Sequence, residues 1–97
     1  MDGSTADLLR RSAMRMEVNQ DYSEAVILMH DGSKLCFCHR VGERWAKTMP
    51  RDDASTAVAD EILGRIAMFR LNRKHLDIAF RDGSRWEKVL HQPAGED

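Results

Sequence analysis

Cys36 and Cys38 are the only cysteines of the chain, and they stand one residue apart in Cys36-Phe37-Cys38-His39. Thiols beside imidazole are the groups that hold zinc or carry redox chemistry. The spacing argues against both. Zinc sites commonly leave roughly two to four residues between paired cysteines. Alternate residues of a strand share a face, so Cys36 and Cys38 point one way and His39 the other. His30, on the neighbouring strand beside the turn, falls on the cysteine side, which leaves three stretched positions and no fourth ligand. A bridge between the two is also strained: strand rise sets their Cα atoms ~6.5–7 Å apart, against ~5.5–6 Å in a relaxed disulfide. Mid-strand thiols gain no help toward the thiolate from a helix N-terminus. We expect two reduced, small apolar side chains, no metal and no cofactor.

No other nucleophile stands in a catalytic setting. The sequence contains no glycine-rich phosphate loop, no His-Glu-x-x-His and no nucleophile elbow. Ser33 and Ser84 each follow Asp-Gly, where they read as turn formers. The expectation is a protein that is not an enzyme.

A third chemistry is phosphate-backbone binding. Arg65, Arg70, Arg73 and Lys74 follow one another without an intervening acid, near His75, Arg81, Arg85 and Trp86. Arg70, Arg73, Lys74, Arg81 and Arg85 would be the nucleic-acid contacts in this alternative reading. Against it stands the formal net charge of -1, which offers no long-range steering. Acids at 52, 53, 60 and 61 followed by bases are also what a helix dipole favours.

These residues need elements to position them. Glu24 to His30 is aliphatic and β-branched, Asp31-Gly32-Ser33 turns, and Lys34 to Arg40 alternates, which predicts a hairpin over 24–40. A second hairpin is predicted over 75–90, through Asp82-Gly83-Ser84. Three-residue loops with left-handed Gly32 and Gly83 put Ile27 opposite Leu35, Ala25 opposite Phe37 and Ile78 opposite Trp86. Leu76, Ile78, Phe80, Trp86 and Leu90 then share one face, with Lys88 reaching out past it. The resemblance between the hairpins reads as common turn chemistry used twice, since arrays need roughly three repeats.

Between them, Val58, Ile62, Ile66 and Phe69 recur at helical spacing behind Asp52 and Asp53. This predicts one main helix over about 53–71, with Asn72 ending it in the left-handed conformation. Arg44 to Thr48 reads as an extra strand closed by Pro50. Residues 12–18 fit either a helix continuing from a Ser4–Asp7 cap or a strand.

The chain has 97 residues, 42% hydrophobic and 32% charged, the size of a single domain over 1–97, with tails at 1–4 and 92–97. Its longest aliphatic run, Ala25 to Met29, is too short to span a bilayer. Without an apolar leader the expected setting is cytoplasmic. The fold class is α+β: an antiparallel sheet packed on a helix. The sheet face opposite the helix, with Val26, Leu28, Cys36 and Cys38, is too apolar for a solvated face. It must be covered by the N-terminal segment or by a second protein. We therefore expect a protein-interaction or assembly module, binding a protein partner or itself as a homodimer. Met29, Trp45, Met49, Val26 and Leu28 would form its partner surface.

Overall fold

The computed structural model describes residues 3–49 and 57–90. The first element, α1 (Thr5–Ser12), starts where Ser4 caps it. The Ser4 hydroxyl accepts from the Asp7 N–H at 3.2 Å, and the Asp7 carboxylate accepts from the Ser4 N–H at 3.4 Å. Asp7 in the first turn and Arg10 and Arg11 in the last match the dipole. Ser4 thus starts the helix.

Four strands follow: β1 (Ala13–Val18), β2 (Glu24–Met29), β3 (Lys34–Arg40) and β4 (Glu43–Met49), an antiparallel sheet in the order β1-β2-β3-β4. Then come α2 (Ala57–Gly64), β5 (Ile66–Leu71), β6 (His75–Phe80) and β7 (Arg85–Val89), the strands forming a second antiparallel sheet β5-β6-β7. Both hairpins have the expected registers, with Ile27 opposite Leu35, Ala25 opposite Phe37 and Ile78 opposite Trp86. Gly32 and Gly83 take φ of 91° and 90°, a region that glycine enters without strain.

The main helix expected over 53–71 is instead α2 followed by β5. The reason lies in a bulge. Ile66 pairs with Phe80 and Met68 with Ala79, so Ala67 is an extra residue in the ladder. The bulge lets Ile66 and Phe69, three positions apart, both face inward, and this imitates helical spacing. Beyond it the period is two: Phe69 and Leu71 are buried, Met68 and Arg70 exposed. Asn72 is not left-handed; its carboxamide oxygen accepts from the Lys74 and His75 N–H groups and turns the chain from β5 to β6. The two alternatives for 12–18 resolve in the same way, with a helix to Ser12 and a strand from Ala13, whose bulge at Met14 brings Ala13 and Met16 inward. Asp52, Asp53, Pro50 and residues 92–97 lie outside the described residues.

The element order shows a unit used twice. α1-β1-β2-β3 and α2-β5-β6-β7 share the helix, the bulged first strand and the Asp-Gly-Ser turn. Their hydrogen bonds correspond too. His30 N–H donates to the Ser12 carbonyl and Arg81 N–H to that of Arg65, both at 2.8 Å; Met29 and Phe80 donate to Ser33 and Ser84. The echo of the hairpins thus extends over the whole helix-and-three-strand unit. Sequence hides it because few of the paired positions keep their residue; Ala6/Ala59, Ile27/Ile78 and the Asp-Gly-Ser triplets are the clearest matches.

Each helix covers the other unit. α1 packs on β7, and α2 on β3 and β4. The turns lock this exchange. Asp82 reaches the N-terminus of α1, accepting from the Thr5 N–H and hydroxyl at 2.8 Å each, while Asp31 accepts from the Val58 N–H of α2 at 3.4 Å. A helix start has unsatisfied N–H donors and a partial positive charge, and a carboxylate answers both. Leu9, Ile27, Leu35, Phe37, Ile62, Leu76 and Ile78 are buried in one core drawn from both units. Among the described residues no helix is long and apolar enough to cross a membrane.

Candidate interaction surface

The outer face of the four-stranded sheet carries the residues singled out from sequence. Register sets them in rows across the strands. One row is Arg15, Leu28, Lys34 and Met49; the next is Glu17, Val26, Cys36 and Lys47. A third begins Glu24, Cys38 and Trp45. Apolar side chains of β2 and β3 form a floor, and long charged side chains of both signs stand around it. Arg15, Glu17, Val26, Leu28, Lys34, Cys36 and Met49 line a cavity of about 180 Å³ on this face.

Part of the floor is buried. Cys36 and Cys38 are buried at 4% and 0% exposure although they point outward. The N-terminal segment does not cover them, since it forms α1 and β1. Their neighbours across the sheet are Val26 and Lys47 at Cys36, and Glu24 and Trp45 at Cys38. Burial pushes both thiols above the usual cysteine range, with Lys47 and Lys34 opposing this at Cys36 and Arg40 at Cys38. Trp45 is half-buried; its Nε1 donates to Glu43 at 2.8 Å, and the Lys47 ammonium sits 4.6 Å from the centre of its ring. Arg40 bridges Glu24 and Glu43 at that end.

Val26 and Leu28 are partly exposed on this face and Met49 is 44% exposed, so these three can reach a partner. Met29 cannot. It shares the inward parity of Ile27 and is 1% exposed in the core, which corrects its place in the expected partner surface.

The five basic residues of the nucleic-acid reading do not form one patch. Arg73 and Lys74 sit in the β5–β6 turn, and Arg81 lies at the other end of β6. Arg70 and Arg85 flank Asp77 on the outer face of the smaller sheet, where Arg85 pairs with Asp77. This pairing holds the Asp77 carboxyl below the ordinary carboxylate range. Arg73 stands 5.7 Å from the ring centre of Tyr22. His30, His39 and the cysteines are also apart. Among the described residues no group of three or more His, Cys, Asp or Glu side chains is placed to hold a metal ion.

Sequence reasoning passed over two residues that join the sheets. The Arg44 guanidinium donates to the Phe69 carbonyl at 2.5 Å and lies over the Phe69 ring, and the Leu71 N–H donates to His39 Nδ1 at 3.4 Å. Together they take one carbonyl and one amide on the outer edge of β5. The signal was faint: His39 alternates with Phe37 toward the core, while Arg44 reads as one of several surface bases. No family model, no curated protein and no solved structure matches the chain.

Proposed function

We propose that the chain is a non-enzymatic protein-interaction module that assembles with a second copy of itself through the outer face of its four-stranded sheet. The observation that carries this is the floor of Val26, Leu28 and Met49 inside a rim of both charge signs. An apolar centre with a polar rim is the anatomy of an interface. Lys47 on β4 and Glu17 on β1 stand at the two ends of the row that holds Val26 and Cys36. A twofold axis along the strands through the floor would set Lys47 of each copy against Glu17 of the other, which favours a self-complementary contact. Two free cysteines fit a reducing, cytoplasmic setting.

The test is Val26→Asp, which puts a charge in the floor while leaving the core untouched. Self-association should weaken roughly a hundredfold, because a desolvated carboxylate without a partner costs several kcal/mol. Unchanged association would refute the reading. The nucleic-acid alternative, through Arg70, Arg73, Lys74, Arg81 and Arg85, has the weaker support, since these residues are dispersed and Arg85 is paired.

A further inference from the structure

We infer that the outer edge of β7 is a docking site for an extended strand of a partner protein, antiparallel to β7 and carrying a basic residue opposite Glu87. The repeated unit supports this. In the first unit β3 pairs with β4 on this edge, whereas among the described residues β7, the counterpart of β3, has no strand beyond it. The Phe80 N–H donates to Ser84 and the Leu90 N–H to Lys74, so alternation turns the amides of Arg85, Glu87 and Val89 away from β6, toward the outer edge of the sheet. Among the described residues no strand pairs with this row, and a row of this kind is a template for strand addition.

The two edges of this sheet are treated differently. On β5 the Phe69 carbonyl and the Leu71 amide of the outer edge are taken by Arg44 and His39. Glu87 and Lys88 on β7 are exposed, and Val89 is 59% exposed.

The first unit also says what the strand should carry. Lys47 of β4 lies opposite Cys36, whose counterpart is Glu87, so a base there gains an ion pair that Cys36 does not offer. Thr48 lies opposite Leu35, the counterpart of Trp86, and its hydroxyl donates to Asp60 of α2 at 2.6 Å. The counterpart of Asp60 is Asp7, on the helix that packs over β7. A hydroxyl opposite Trp86 therefore suits the site. The proposal shares with the preceding one only the reading of the chain as an interaction module, and it uses a different surface.

The probe is a synthetic peptide with the sequence of residues 43–49, Glu-Arg-Trp-Ala-Lys-Thr-Met, blocked at both ends and added to the full chain. Amide exchange should slow at Arg85, Glu87 and Val89. Glu87→Pro removes only an outward amide, a change an edge strand tolerates; it should abolish binding and leave the rest of the amide spectrum in place. Glu87→Lys should weaken binding about tenfold, and a peptide with Glu in place of its Lys should restore it. Absence of slowed exchange at these amides, or binding that survives Glu87→Pro, would overturn the proposal and leave Lys88 as a guard against strand pairing. A dimer that dissociates on Glu87→Pro would also overturn it, since the occupant would then be a second copy. Val26→Asp should leave peptide binding unchanged, which separates failure here from failure of the sheet-face assembly.

Discussion

Asp82 and Thr5, 77 positions apart, are joined by two hydrogen bonds of 2.8 Å from the threonine N–H and hydroxyl to one carboxylate oxygen. The other oxygen holds the Ser84 N–H and hydroxyl at 2.9 and 2.6 Å. The same carboxylate thus shapes a turn and caps a distant helix. Thr5 is 1% exposed, so its hydroxyl has no water to replace this partner. Thr5→Val should cost about 1 kcal/mol in urea unfolding. Asp82→Ala should lower the midpoint further, because it also strips the turn. A midpoint unchanged by both variants would contradict the role given to this contact.

Stability should fall in acid. Hydrogen bonds from the Ser84 hydroxyl and N–H, and then from Thr5, hold the Asp82 carboxyl far below the ordinary carboxylate range. At Asp31 burial works the other way, but Ser33 and the Val58 N–H outweigh it and the carboxyl is again lowered. A group with a depressed value in the folded state stabilises above its unfolded value, about 4, and loses that contribution as pH falls toward the folded one. Denaturant midpoints should therefore decline below about pH 4, and Asp82→Asn should flatten the decline. A wild-type profile no steeper than that of the variant would contradict this.

Glycines 64 and 83 should respond in opposite directions to alanine. An added Cβ meets no atom within 4 Å at either position. Gly83 has φ of 90°, so Gly83→Ala should cost about 1 kcal/mol of strain. Gly64 ends α2 without a positive φ, so Gly64→Ala should stabilise by about 0.5 kcal/mol through helix propensity. Thermal melts of both variants measure this.

The cysteines should be inert in the folded chain. With 4% and 0% exposure and thiols pushed upward by burial, Cys36 and Cys38 should react slowly with a thiol reagent and rapidly once unfolded. Fast labelling of the native protein would contradict their burial.

The hairpins were legible because Asp-Gly-Ser and strict alternation leave one register in which Ile27, Leu35, Ile78 and Trp86 all face the core. β5 was not, because its bulge spaces Ile66 and Phe69 as a helix would. Met29 shows a different limit: its parity was readable from Ile27, but its type suggested a contact surface. Asp31 and Asp82 were legible as turn residues and not as caps, because their second partners lie in the other unit. The exchange of helices between units is tertiary information, and it predicts that residues 57–97 alone should lack a stable fold by circular dichroism.

Self-assembly through the Val26, Leu28 and Met49 floor is tested most directly by sedimentation equilibrium of the full chain and of Val26→Asp, up to hundreds of micromolar. The account predicts a concentration-dependent rise of the native chain toward twice its 11.1 kDa mass, and a Val26→Asp variant that stays at 11.1 kDa over the same range. A native chain that remains at 11.1 kDa throughout, or a variant that associates as tightly as the native protein, would contradict it.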